Sequence, residues 1–336
     1  MTGLPGLDLD RLASYLGDRV AGPLSGELIP GGRSNLTYRV TDGANRWVLR
    51  RPPLGHVLAT AHDMTREHRV ISALGGTAVP VPRAELLCED PSVLGAPFYL
   101  MEEVAGAALR DRAQCEWLTP EQAGALSNRL VDVLADLHAV DPASVGLGDF
   151  GRPDGFLKRQ VSRWGKQLSA SRSRDLPGID ELHDTLAGSV PASVQATIIH
   201  GDYRLDNVLV TRDPLEISAV LDWEMATLGD PLADVGLLHV YWHGLNIEND
   251  PITGTVPSLP GFPTADQLVE RYARRTGADV SNLGWYTAFG YFKLAVILEG
   301  IHYRFTTGKT VGAGFEQLGA FTLPLVRQGL AATKEY

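Results

Sequence analysis

The feature that most constrains this chain is a dense group of polar residues, HGDYRLDNVL (200–209), at the start of an apolar run. Within it, Asp202 and Asn207 are separated by four residues. The apolar run predicts a buried strand, and a second apolar run farther along the chain ends at Asp222. We expect the two runs to form a hairpin. Such a hairpin returns Asp222 to the neighbourhood of Asn207.

The spacing of Asp202 and Asn207 is that of the loop used in phosphoryl transfer, D-x-x-x-x-N. In that loop the aspartate accepts the proton of the attacking hydroxyl, and the asparagine holds magnesium. Asp222 supplies the further carboxylate that this chemistry requires, and magnesium prefers such oxygen ligands. We therefore predict Asp202 as the catalytic base, with Asn207 and Asp222 as metal ligands. The main task of the base is to place the nucleophile in line with the phosphorus.

Three motifs together resemble the aminoglycoside and choline phosphotransferase family. They are HGD at 200–202 followed by Asn207, LDWE at 221–224, and GDPLAD at 229–234. The resemblance implies a protein-kinase-like fold and the same roles for the base and the metal ligands. It also implies that His200 braces the loop and that Asp234 ties the loop to the helix that follows.

The resemblance runs from about residue 28 to about residue 237 and continues less specifically to 308. The segments VLRRPP (48–53) and YFKLA (291–295) are most similar to one branch of the family. That branch includes the kinase-like domains fused to acyl-CoA dehydrogenases and their free-standing bacterial relatives.

The pattern of apolar residues predicts an α+β, bilobal chain. We expect a small antiparallel sheet with one helix in residues 1–103, which would form the nucleotide-binding lobe. Residues 104–336 should form a larger, mainly helical lobe that carries the catalytic hairpin and the acceptor site. In the helical part, Thr119 and Gln122 form a capping-box pattern around Pro120. The predicted helices are 7–16, 59–74 and one beginning after Thr119, and the predicted strands are 27–29, 36–41, 46–50, 98–102, 207–211 and 217–221.

The resemblance implies an ATP site in the first lobe. The phosphate-covering loop would lie between the first two strands. Arg50 stands at the end of the third strand, where protein kinases have lysine, and it binds phosphate with a different geometry. Its neighbour Arg51 should point to the opposite face of the strand. The full set of predicted nucleotide-binding residues is Gly32, Ser34, Asn35, Thr37, Arg50, Glu67 as partner of Arg50, and Glu102 and Val104 for the adenine.

The acceptor is predicted to be a hydroxyl of a small molecule. Asp222 is followed almost at once by Gly229, which leaves no room for the activation segment that protein kinases use as a peptide platform. Residues 235–310 contain six acidic and six basic residues, and eleven of the chain's 25 aromatic residues. A partly apolar alcohol or hydroxy acid therefore fits better than a polycationic aminoglycoside. The candidate acceptor contacts are Arg204, Glu224, His243, Tyr286 and His302.

Composition excludes several other classes of protein. The formal net charge is −10 and there is no basic run, so we expect binding neither to nucleic acid nor to an anionic membrane. Its two cysteines, Cys88 and Cys115, support neither a disulfide framework nor a zinc pattern. We see no signal peptide at the start and no membrane span, and therefore expect a cytoplasmic protein. The oligomeric state and the choice of ATP over GTP stay open.

Two alternative functions share some of these sequence features. The first is a nucleotide-binding pseudokinase that regulates a partner, against which the retention of Asp202 argues, since a pure binder needs no base. The second is a metal-dependent hydrolase that uses His200 and the aspartates, which would require more histidine or carboxylate ligands around the metal.

Overall fold

The structure is a computed structural model that describes residues 4–29, 35–54, 63–193, 196–245, 256–308 and 317–334. The chain divides into two compact units. The first consists of Met1–Ala107 and Asn207–Ala226, and the second of Ala108–Asp206 and Thr227–Tyr336.

Within the described ranges, the strands and α-helices are as follows. The strands are β1 (Ser25–Leu28), β2 (Leu36–Thr41), β3 (Arg46–Arg51), β4 (Ala84–Cys88), β5 (Phe98–Glu102), β6 (Thr197–Ile199), β7 (Val208–Arg212), β8 (Leu215–Val220) and β9 (Thr227–Gly229). The helices are α1 (Leu9–Leu16), α2 (Met64–Leu74), α3 (Pro91–Leu94), α4 (Arg112–Cys115), α5 (Pro120–Ala139), α6 (Phe156–Ser171), α7 (Ile179–Gly188), α8 (Leu232–His243), α9 (Ala265–Thr276), α10 (Leu283–Thr306) and α11 (Thr322–Ala332).

The first unit is built on an antiparallel sheet with strand order β1-β2-β3-β5-β4. Along β2 the side chains alternate, so that Tyr38 and Val40 are buried while their neighbours are partly exposed. The buried face packs against Leu12 and Leu16 of α1. Burial of this amphipathic helix on one face of the sheet gives the unit its core.

The predicted hairpin is formed by β7 and β8, with Val208 opposite Val220. It lies in the first unit, whereas the sequence assigned it to the helical part of the chain. The reason is backbone pairing: the Ala107 and Val210 backbones exchange hydrogen bonds at 3.0 Å, and Val220 N–H donates to the Pro80 carbonyl at 2.8 Å. The first unit therefore contains residues 207–226 in addition to residues 1–107, whereas the prediction divides the chain once, after residue 103.

The second unit is mainly helical, with the short antiparallel pair β6 and β9. At the start of α5, Thr119 accepts from the Gln122 backbone, and the Gln122 side chain accepts from Thr119 N–H, which confirms the predicted capping box. Helix α10 packs against α8, α11 and α6. It is buried on all sides over most of its length, as expected for a helix at the centre of a unit.

None of the helices in the described ranges combines the length and the apolar character needed to cross a membrane.

Candidate functional site

The turn that carries Asp202 directly follows β6 in the second unit. His200 N–H donates to Asp234 Oδ2 at 2.7 Å, and Gly201 N–H donates to Asp234 Oδ1 at 2.8 Å. Gly201 has φ of 82°, a conformation that glycine adopts without strain. Asp202 N–H in turn donates to His200 Nδ1 at 3.2 Å. The backbone around Asp202 is thus fixed by three hydrogen bonds.

Asp234, in the first turn of α8, is the anchor of this turn and is 1% exposed. Its Oδ2 also lies 3.3 Å from His138 Nε2 of α5, and His138 Nδ1 lies 2.7 Å from the Tyr272 hydroxyl of α9. Burial raises the pKa of Asp234, but the hydrogen bonds and charges of His138 and His200 outweigh it, and the pKa is lowered. An ionised carboxylate therefore joins the turn to two helices of the unit.

The Asp202 side chain is held by a residue that the sequence did not identify as functional. The Tyr241 hydroxyl donates to Asp202 Oδ1 at 2.7 Å. Burial, and then the charge of Asp202, raise the pKa of Tyr241 well above its usual value, so the hydroxyl stays a donor. One signal was present in the sequence: Tyr241 lies seven residues after Asp234, which is two turns along the same face of α8.

Two cations accompany this arrangement. The Arg204 guanidinium lies over the Tyr241 ring, 4.2 Å from its centroid, and pairs with Asp206. Lys293 of α10 donates from Nζ to the Gly201 carbonyl at 2.6 Å. In the sequence, Lys293 belongs to the segment YFKLA, which resembles one branch of the family, and no site role is predicted for it.

A second cluster of candidate residues lies in the first unit, around Arg50. Arg50 pairs with Asp222 through Nη2, and its Nε lies 2.8 Å from Glu67 Oε2, although that N–H is not aimed along the line of contact. Burial alone would lower the pKa of Arg50, but the neighbouring carboxylates of Glu67 and Asp222 raise it, so the guanidinium stays charged. The structure brings the predicted cation and its predicted partner together.

Glu67 is 1% exposed and fully engaged. Its Oε2 accepts from the Tyr99 hydroxyl at 3.0 Å, and its Oε1 accepts from Asn35 Nδ2 at 3.0 Å. The same Asn35 nitrogen lies 3.2 Å from Glu224 Oε2. Burial raises the pKa of Glu67 and the Arg50 charge opposes that effect. The predicted phosphate loop therefore ends in an amide that links two carboxylates.

The predicted metal ligands flank the hairpin: Asn207 directly precedes β7, and Asp222 follows β8. The Asn207 carbonyl accepts from Leu221 N–H at 2.8 Å, which places Asp222 beside the strand that Asn207 precedes. Asp222 has φ of 66° and ψ of 61°, a left-handed backbone that no other non-glycine residue adopts in the described ranges. Such strain concentrates at functional positions. A carboxylate and an amide oxygen form a donor set that fits magnesium.

The remaining nucleotide-site predictions have separate outcomes. Gly32 and Ser34 lie outside the described residues. Thr37 is opposite Arg50 in the sheet. Glu102 ends β5, where its N–H donates to the Arg83 carbonyl at 3.0 Å, and Val104 follows it as a half-buried residue. Arg51 reaches the Leu94 carbonyl at 2.8 Å, away from Glu67, so it points to the opposite face as predicted.

The predicted acceptor contacts are placed very differently from one another. Tyr286 does not fit that role, because it is 2% exposed and its hydroxyl donates to Asp230 Oδ2 at 2.9 Å inside the helical unit. His243 is exposed and stacks on His239, with ring centroids 6.1 Å apart. His302 is half-buried on α10. Arg204 and Glu224 lie in the clusters described above.

The described part of the chain contains no group of three or more His, Cys, Asp or Glu side chains arranged to hold a metal ion. Asn207 and Asp222 would therefore hold a metal together with oxygens from a nucleotide or water.

Comparison with known proteins gives this fold and these motifs a family. The chain belongs to the phosphotransferase enzyme family, whose pattern matches residues 25–277. It is 34% identical over 322 residues to acyl-CoA dehydrogenase family member 10 of Mus musculus, a match that covers 93% of this chain but 29% of that protein. The chain thus spans about a third of the curated relative's length.

Solved structures show the same fold. A protein from Ralstonia eutropha assigned to the aminoglycoside phosphotransferases has 35% identity and a TM-score of 0.84, covering 97% of this chain and 98% of that one. The aminoglycoside phosphotransferase APH(4)-Ia, in a ternary complex with AMP-PNP and hygromycin B, has 16% identity and a TM-score of 0.63, covering 96% and 98%. The protein-kinase-like fold and the branch related to acyl-CoA dehydrogenase fusions are therefore as the sequence indicated.

Proposed function

We propose that this protein transfers the γ-phosphate of ATP to a hydroxyl of a small molecule, with magnesium as the metal. The observation that carries the proposal is the fixed Asp202 turn in a member of a phosphotransferase family. Its backbone is anchored by Asp234 and one carboxylate oxygen is held by Tyr241. The other carboxylate oxygen is the one we assign to the acceptor hydroxyl. Pre-positioned groups of this kind lower the barrier to in-line transfer.

In this reaction the acceptor oxygen forms a bond to the γ-phosphorus, the bond from that phosphorus to the bridging oxygen breaks, and ADP leaves. The acceptor proton passes to Asp202. Asn207 and Asp222 would hold magnesium, which supplies positive charge beside the phosphates when bound. Arg50, kept in place by Glu67, would bind phosphate oxygens.

The remaining contacts of the nucleotide are proposed from the position of residues in the chain. The loop with Gly32, Ser34, Asn35 and Thr37 would cover the phosphates. The backbone at Glu102 and Val104 would bind the adenine.

We infer that the acceptor is a partly apolar alcohol or a hydroxy acid. The balanced charge of residues 235–310 supports this class, as does the Arg204 guanidinium stacked near the base. His243, His302 and Glu224 are the other proposed contacts.

Two buried free thiols, Cys88 and Cys115, agree with a reducing compartment such as the cytoplasm.

A panel of hydroxylated compounds, assayed for ADP release with ATP and Mg²⁺, tests the proposal. Turnover of apolar alcohols or hydroxy acids supports it. Strong turnover of kanamycin-like compounds, with none of the former, overturns the acceptor class.

The D202N variant separates this function from a regulatory pseudokinase. Turnover should fall by about 10²–10⁴-fold while binding of a fluorescent ATP analogue persists. Substitution of an exposed aspartate, D18N, is the matched control. A wild-type protein that binds ATP but turns over no acceptor favours the pseudokinase.

A further inference from the structure

Helix α10 carries one charged side chain in its most deeply buried segment. Between Trp285 and Val296 every residue is buried, and Lys293 is the only charged one. Its exposure is 7%. An apolar residue at this position would pack against the same neighbours without the cost of removing an ammonium group from water.

The cost of burying a charge is usually offset by an ion pair with an opposite charge, and the contacts of Lys293 are of a different kind. Within the described ranges, the ammonium of Lys293 forms no ion pair with a carboxylate, and its one hydrogen bond goes to the neutral Gly201 carbonyl at 2.6 Å. The Trp164 ring centroid lies 5.8 Å from Nζ, close enough for a cation–π interaction. Burial lowers the pKa of Lys293, and the charges of Asp202 and Asp234 oppose that effect.

The partner of Lys293 explains why a cation is kept there. Gly201 directly precedes Asp202, and its N–H already donates to Asp234. With its carbonyl held by Lys293, both polar groups of Gly201 are fixed by charged side chains from two helices, α8 and α10. Gly201 is therefore held at both its N–H and its carbonyl group, and this restrains the backbone at the next residue, Asp202.

We propose that Lys293 is a positioning residue for Asp202: it holds the Gly201 carbonyl, and so the direction of the catalytic carboxylate, and it places a positive charge near that carboxylate. This inference rests on the proposed phosphotransfer. It assigns Lys293 no contact with ATP or acceptor.

The test is K293M, which keeps the length and the apolar part of the side chain. We expect kcat, measured by ADP release with the best acceptor of the panel, to fall about 10²-fold, as for a misplaced catalytic group. The KM for ATP should stay within about twofold, since ATP is not contacted. The melting temperature should change little, because removing a buried charge and losing the hydrogen bond to the Gly201 carbonyl have opposite effects on stability.

Two further variants sharpen the result. K293R keeps a charged donor and should recover part of the lost kcat. K166M makes the same change on an exposed face of α6 and should match the wild type. A K293M variant with wild-type kcat overturns the proposal. So does one whose melting temperature falls and whose lost activity follows its unfolded fraction, because Lys293 would then serve packing alone.

A measurement that needs no turnover completes the test. K293M is made in the wild-type and D202N backgrounds, and the urea midpoint of unfolding is measured for all four proteins. If Lys293 acts on the Asp202 carboxylate, the midpoint shift caused by K293M differs between the two backgrounds. Equal shifts overturn the proposal. If the wild type turns over no acceptor, the proposed function fails, and this cycle still decides whether the two residues are coupled.

Discussion

The Tyr241 hydroxyl donates a hydrogen bond to Asp202 Oδ1 at 2.7 Å from a buried position on α8. The bond occupies one oxygen of the carboxylate and fixes the rotation of the side chain. The orientation of the proposed base is therefore set by a side chain 39 residues away in sequence.

Replacing Tyr241 by phenylalanine should lower kcat by about 10–100-fold, the equivalent of one hydrogen bond to a charged group. The KM for ATP should change little. Steady-state kinetics of ADP release measure both. Y286F is the matched control, because it removes a hydroxyl that donates to Asp230 away from the proposed base, and should lower stability with little change in kcat. Equal loss of kcat in both variants would contradict this assignment.

Neutralising Glu67 should weaken ATP binding. In E67Q, Arg50 loses the charge that holds it, and we expect the KM for ATP to rise about tenfold with a smaller change in kcat. The control is E181Q at an exposed position of α7. Unaltered ATP affinity in E67Q would show that Arg50 is held in another way.

Stability at low pH should depend on Asp234. Its pKa in the folded protein is lowered from the ordinary value of 3.8, so its contribution is fully present above that value. The contribution is lost as pH falls below 3.8 toward the folded pKa. We expect the free energy of unfolding of D234N to be about 3–5 kcal/mol lower than that of the wild type at pH 7. The amide nitrogen of the new side chain cannot accept a hydrogen bond, so it would face either His200 N–H or Gly201 N–H without bonding to it. Urea unfolding measured between pH 7 and pH 3 should show that the difference in free energy of unfolding between the wild type and D234N becomes smaller toward pH 3.

The thiol of Cys115 should resist alkylation. Burial raises its pKa to about 11, so at pH 8 only about a thousandth is the reactive thiolate. Between pH 9 and pH 11 the Cys115 thiol stays protonated in the folded protein but ionises in the unfolded chain, where its pKa is 9.0. The free energy of unfolding therefore falls as pH rises from 9 through 11. Bimane labelling of a C88A variant isolates this site, and urea-unfolded protein is the control. Rapid labelling of the folded variant at pH 8 would contradict the buried placement.

Local patterns predicted those regular elements in which alternation or helical spacing is clear. The strands at Leu36–Thr41 and Phe98–Glu102 have the predicted bounds, since alternation and apolar runs there are clear. The predicted helix at 59–74 begins at Met64 with Asp63 as its N-cap, and residues 59–62 lie outside the described ranges. Strand β4 was not predicted. It follows a proline-rich segment, lies at the edge of the sheet and pairs with an irregular register near Ala84.

The candidate site was predictable only where its residues share a motif. Asp202, Asn207 and Asp222 stand in a recognisable spacing, and the order of elements led to Glu67. Tyr241 and Lys293 contact the Asp202 turn across 39 and 92 residues, and neither contact is part of a motif spacing. The placement of the β7–β8 hairpin with the sheet likewise depends on distant backbone pairing at Ala107.

The left-handed backbone of Asp222 determines which substitutions are informative at that position. Asparagine tolerates this conformation, so D222N removes the charge and leaves the turn intact. Alanine must adopt the same torsion angles at an energetic cost. In an alanine scan across the hairpin, the effect measured at this position would therefore combine a distorted turn with a missing metal ligand. D222N tests the ligand without distorting the turn.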